Sequence, residues 1–151
     1  MPRARKPRRT IRVPLFDIGK PTAGGRVYTE ESLAPLLAEL SAGKKFTIEE
    51  MSPIERKLKG INEWDSWAEH SMAESVGHSL DNGVLSIDFE LKGNRFGKLL
   101  GATLDTYGEN GVRYFPVGTG EENENGQITS YKLSYISFEI KEKNANMQLS
   151  L

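Results

Sequence analysis

The sequence predicts an α+β fold: a mostly antiparallel, barrel-like sheet with two or more flanking helices and an extended basic N-terminal arm. Three observations lead there. Several short runs alternate apolar and polar residues with a period of two, as half-buried strands do. Two other runs repeat apolar residues at i, i+3, i+4 and i+7, the spacing of a helix with one buried face. The basic residues crowd the N-terminus, where Arg3, Arg5, Lys6, Arg8, Arg9 and Arg12 stand within residues 1–12 and no acidic residue accompanies them. Taking these six from the 20 basic residues leaves 14 against 21 acidic ones, so a cationic arm precedes a body of formal charge −7.

The elements follow in order. Ile11, Val13 and Leu15 alternate with Arg12 and Pro14 and predict an edge strand, because a proline cannot donate to a ladder. Pro21 to Gly25 is turn-forming, and Thr29 or Ser32 can cap the helix that carries Leu33, Leu36, Leu37 and Leu40 and stops at Gly43. Pro35 is tolerated only in a first helical turn, which favours a start near Ser32. Residues 44–82 are expected to form an irregular excursion. Within it Phe46 to Met51 suits a strand and Pro53 to Lys59 a helical turn, whereas Trp64 to Ser79 has no clean period. Leu85, Ile87, Phe89 and Leu91 then define a half-buried strand, and Phe96, Leu99, Leu100, Thr103, Leu104 and Tyr107 one helical stripe closed by Gly108. Val112 to Val117 is the next strand. Asn125-Gly126 makes a hairpin turn into Gln127–Ile140, which carries apolar side chains on both faces and is expected to be central.

A chain of 151 residues supports one core. The organisation is therefore an arm over residues 1–12, a single domain over 13–140 and a polar tail over 141–151. With no cysteine, disulfides, thiolate nucleophiles and cysteine–zinc sites are excluded. No run approaches the roughly 18 apolar residues of a membrane span, and the basic start is not followed by the apolar block of a secretory signal, so a soluble, unexported protein is expected.

Few residues suggest chemistry. His70 and His78 lie near Glu69, Glu74 and Ser79, but an eight-residue gap gives neither a zinc-binding helical pair nor a base held against a nucleophile. Gly118-Thr119-Gly120 lacks the lysine and following helix of a phosphate loop, and Glu121, Glu122 and Glu124 would repel phosphate. Neither cofactor nor metal is implied. The six basic arm residues, with Trp64 and Trp67, are the expected partner-binding residues. Nucleic acid is not expected as that partner, because the acidic body would be repelled and the aromatics do not interleave with basic residues.

Gly25-Arg-Val-Tyr-Thr-Glu-Glu-Ser-Leu33, Gly77-His78, Ile87 to Leu91 (IDFEL), Gly93 to Leu100 (GNRFGKLL), the GTG at 118–120 and Tyr135 to Ile140 (YISFEI) together resemble the capsid-maturation (prohead) protease family of tailed bacteriophages. The resemblance spans most of residues 11–140 and rests on short motifs. It implies a herpesvirus-protease-like β-barrel, with a serine nucleophile and a histidine base that cleave scaffold and capsid precursors. The family's histidine would fall at His78 and its serine near Phe115 or Pro116, neither of which can attack a carbonyl. Thr119, Ser130 and Ser134 are nearby hydroxyls that would serve only if the correspondence were shifted by several residues. The expectation is accordingly a catalytically dead relative, a decoration or cement protein of the virion head. It would be made in the host cytoplasm and bind the major capsid protein and neighbouring copies of itself as a homo-oligomer, through arm and edge-strand contacts. An active serine-type maturation protease using His78 is the alternative.

Overall fold

A computed structural model describes residues 8–22, 24–49, 57–60 and 70–141. The elements are β1 (Thr10–Asp17), β2 (Val27–Tyr28), α1 (Glu30–Ser41), β3 (Thr47–Glu49), β4 (Ser71–Asp81), β5 (Val84–Leu91), α2 (Arg95–Tyr107), β6 (Val112–Glu122) and β7 (Gln127–Ile140). The fold is α+β, as expected. One mixed sheet runs β1-β5-β4-β3-β7, with β6 beyond β7 and β2 beside the start of β7, and it curls into a half-barrel. The pairs β1–β5, β5–β4, β4–β3 and β7–β6 are antiparallel; β3 and β2 run parallel to β7.

The inner face holds one apolar cluster. Val13 and Phe16 of β1, Ile48 of β3, Met72 of β4, Leu85, Ile87 and Phe89 of β5 and Ile136 of β7 are all buried in it. Leu33 and Leu36 of α1 and Leu100 and Leu104 of α2 complete it. Phe16, Tyr28 and Tyr131 stack edge to face with centroids 4.9 to 5.5 Å apart, a geometry that suits aromatic quadrupoles. β7 is central as predicted, flanked on one side by β6 and on the other by β3 and β2.

Several boundaries differ from the sequence reading. The helix α1 starts at Glu30 and not at Ser32, because Thr29 and Ser32 form a reciprocal capping box, each side chain accepting the other's backbone N–H at 3.0 Å. Pro35 then sits in the helix interior. In α2 the buried stripe narrows to Gly97, Leu100 and Leu104, while Leu99 is 46% exposed. Asn94 caps this helix by accepting from the Gly97 amide, and Gly108 (φ 78) ends it as expected.

Two corrections concern organisation. Thr10 to Arg12 are the first rungs of β1, paired with Glu90, Phe89 and Asp88, so the arm does not extend to residue 12. Residues 71–81, placed in the irregular excursion, form the 11-residue strand β4. Its period is obscured by a bulge between Ser75 and Gly77 that turns Val76 out to 50% exposure, and by burial of three consecutive residues, Ser71 to Ala73. The β4–β5 turn, Asn82 (φ 51) followed by Gly83 (φ 78), is a tight left-handed pair of the kind hairpins prefer.

Candidate functional site

The basic N-terminus meets the chain's own acids. Arg8 lies 3.8 Å from Glu90, Arg9 bridges Asp105 at 2.8 Å and Glu109 at 3.4 Å, and Arg12 binds Asp88 at 2.8 Å. The hydrogen bonds to Asp105 and Asp88 raise the pKa of Arg9 and Arg12. These three residues, expected to grip a partner, are thus held along the β5–α2 surface in the isolated chain. Exposed pairs of this kind contribute little and exchange readily. Arg3, Arg5, Lys6, Trp64 and Trp67 lie outside the described residues.

The positions implied by the protease resemblance do not meet. His78 on β4 pairs with Ile87, while Phe115 and Pro116 on β6 pair with Ser137 and Ile136 of β7. Two strands, β3 and β7, stand between β4 and β6, so about 14 Å of sheet separates the two positions. Ser130 and Ser134 on β7 stand two strand spacings from β4, about 9.6 Å, and Thr119 is on β6. Around His78 is a cavity of about 70 Å³ lined by Leu40, Gly43, Lys44, Lys45, Ser75, Val76 and Gly77. Its one hydroxyl, on Ser75, accepts the Phe46 amide at 2.8 Å. Among the described residues no hydrogen bond links His78 to a serine or threonine. His70 precedes β4 and packs on Phe96 with centroids 4.6 Å apart, about 27 Å of strand from His78. Among the described residues no three histidine or carboxylate side chains cluster as a metal site would need.

Gly118 and Gly120, which invited comparison with a phosphate loop, have another reason to be glycine. They lie in β6 opposite Leu133 and Tyr131, with the strand pressed on β7: a Cβ on Gly118 would stand 2.2 Å from the Lys132 carbonyl oxygen, and one on Gly120 2.7 Å from that of Ser130. β7 is packed too closely here for side chains.

What the fold does present is an open seam. Among the described residues β1 pairs only with β5, and β6 only with β7, so each has a free edge there; the two strands approach within 8 Å without a ladder between them. Counting directions through the sheet, β1 and β6 run the same way. Two cavities lie in succession along the seam. The lower, about 310 Å³, is lined by Arg12, Pro14, Val112, Arg113, Tyr114 and Lys141, with Glu109 and Asn110 at its edge. The upper, about 430 Å³, is lined chiefly by Leu15, Arg26, Tyr28, Tyr114, Phe115 and Pro116. The two residues at the expected nucleophile position therefore form part of a groove wall.

Two features of the seam stand out chemically. The Tyr114 hydroxyl is buried and has no hydrogen-bond partner among the described residues, and burial pushes its pKa up to about 12, with Glu109 adding to the rise. A hydroxyl in that state costs about 1–3 kcal/mol until something accepts its proton. The charged side chains lining the cavities are Arg12, Arg26, Arg113, Lys141 and Glu109, and most are held in exposed ion pairs: Arg12 with Asp88, Arg26 with Glu122, Arg113 with Glu139 at 3.5 Å, and Glu109 with Arg9. Sequence reasoning missed the seam, although a proline in each bordering strand, Pro14 and Pro116, signalled a free edge.

No family profile matches the chain, and no curated protein or solved structure matches it. Among the described residues no helix is long and apolar enough to cross a membrane.

Proposed function

We propose that this chain is a structural binding protein of a virion head, a decoration or cement component that attaches to the capsid shell and to neighbouring copies of itself. The observation that carries the reading is the pair of free strand edges, β1 and β6, facing each other across a groove beside a basic N-terminus. Free edges are templates for an added strand. The resemblance to prohead proteases supplies the capsid context, and Phe115 and Pro116 where that family has its serine supply the reason to expect adhesion in place of cleavage.

Attachment of this kind works by multivalency. Weak contacts repeated over a symmetric shell sum to high avidity without any strong single site. The ion pairs of Arg8 and Arg9 can be exchanged for acids on a shell subunit, a step favoured by low salt.

The test is sedimentation with purified empty shells. The full chain should pellet with them in a salt-dependent manner and be present in particles uncleaved and in high copy number; a chain lacking residues 1–7 should pellet less and lose much of the salt dependence. Full-chain protein that stays in the supernatant at all salt concentrations overturns the reading. The protease alternative predicts scaffold cleavage that disappears in His78→Ala, read on the same mixtures by gel.

A further inference from the structure

We infer that the seam between β1 and β6 is a binding groove for an extended acidic peptide of the partner, entered antiparallel to both strands, with an apolar side chain in the upper cavity and a carboxylate in the lower one. The inference rests on the proposed shell-binding reading and names what that partner offers.

Direction comes from topology. Because β1 and β6 run the same way, a guest strand of opposite direction makes antiparallel ladders with both at once, the stronger of the two pairings.

Register comes from the backbone. The Leu91 amide donates to the Arg9 carbonyl oxygen at 2.8 Å, which makes Arg9, Ile11 and Val13 the residues bonded to β5 and turns the backbone groups of Thr10, Arg12 and Pro14 toward the seam. Pro14 has no donor, so free backbone donors are found below it, at Thr10 and Arg12. On β6 the segment below Pro116 holds Val112, Arg113 and Tyr114. A guest ladder is thus confined to the lower cavity, and above the two prolines the contact is made by side chains alone.

Chemistry comes from the linings. The lower cavity gathers Lys141, Arg12 and Arg113, whose exposed pairs with Asp88 and Glu139 a guest carboxylate can displace, and the Tyr114 hydroxyl, which has no acceptor among the described residues and suits a guest backbone carbonyl. The upper cavity gathers Leu15, Tyr28, Phe115 and Pro116, which call for an apolar side chain. Pro116 lies four positions beyond Val112 in β6, and the guest runs from the upper to the lower cavity, so its apolar residue precedes its carboxylate by about four positions. A strand seated between two others needs them about 9.6 Å apart, more than the present approach within 8 Å, so the seam widens on binding.

The experiment uses the full chain and a fluorescein-labelled peptide, Ser-Leu-Ser-Val-Thr-Glu-Thr-Glu, with a control carrying lysine in both glutamate places. Anisotropy should show saturable binding of the acidic peptide and at least tenfold weaker binding of the control. The exposed double variant Arg113→Glu/Lys141→Glu should lose at least tenfold, and Tyr114→Phe about threefold, while both keep the wild-type circular dichroism spectrum. Absent binding of the acidic peptide, equal binding of the two peptides, or an unaffected charge-reversal variant overturns the seam assignment. Shell sedimentation of the same preparations separates the two readings: chain that pellets without binding peptide loses the groove and keeps shell attachment, and chain that does neither loses both.

Discussion

The half-barrel contains two long hairpins, β4–β5 and β6–β7, that differ in how they are used. In the first, β5 is enclosed by β1 and β4, its buried apolar residues Leu85, Ile87, Phe89 and Leu91 alternate, and it contains no proline. In the second, β7 is enclosed while β6 has one free edge, carries Pro116, and turns Arg113 and Phe115 to the seam. The contrast separates two demands on a strand. Where both edges are paired, burial selects the side chains; where one edge is open, protection of that edge and contact with whatever lies along it select them.

Mutations can break that contrast. The largest effect is expected from Phe89→Ala in β5, fully buried in the cluster, which should cost about 3–5 kcal/mol in urea unfolding. Next is Gly83→Ala at the β4–β5 turn, where a positive φ penalises any Cβ by about 1–2 kcal/mol. Phe115→Ala, half-buried in the seam wall, should cost under about 1 kcal/mol. If Phe115→Ala proved as damaging as Phe89→Ala, β6 would be a core strand and the contrast would fail.

The smallest expected effect is a pH dependence. Tyr114 has its pKa raised from 10.0 to about 12. The folded state therefore holds the phenolic proton more tightly than the unfolded chain; the resulting stability is complete below pH 10 and is lost as pH rises toward 12. Tyr114→Phe should remove that part of the alkaline decline, measured as melting temperature against pH. A decline as steep in the variant would assign it to other groups, Tyr131 among them, whose pKa is also raised by burial.

How much of this could be read in the sequence depended on where each residue's constraint lies. β1, β5 and α2 were legible because their buried residues repeat at the period of their own element, and β7 because its β-branched and aromatic residues follow the Asn125-Gly126 turn. β4 was not, because the Val76 bulge shifts its phase and Ser71 to Ala73 are buried in succession, leaving no alternation to count. The Asn82-Gly83 turn was a local signal that could have revealed the hairpin and was overlooked. The seam was hidden for a different reason: sheet closure is a property of strand order, and no local pattern encodes it. Pro14 marked one free edge, whereas Pro116 was read only as a missing nucleophile. The glycines at 118 and 120 suggested a ligand loop because the spacing between β6 and β7, which they serve, lies outside the motif.

The central proposal is that this chain adheres in place of cleaving. It is tested most directly by incubating the pure protein with a fluorophosphonate probe, which phosphonylates an activated serine hydroxyl irreversibly with loss of fluoride, and recording the intact mass. The account predicts the unmodified mass alone, in the wild type and in His78→Ala. A stoichiometric adduct on one serine or threonine, abolished by His78→Ala, would contradict it.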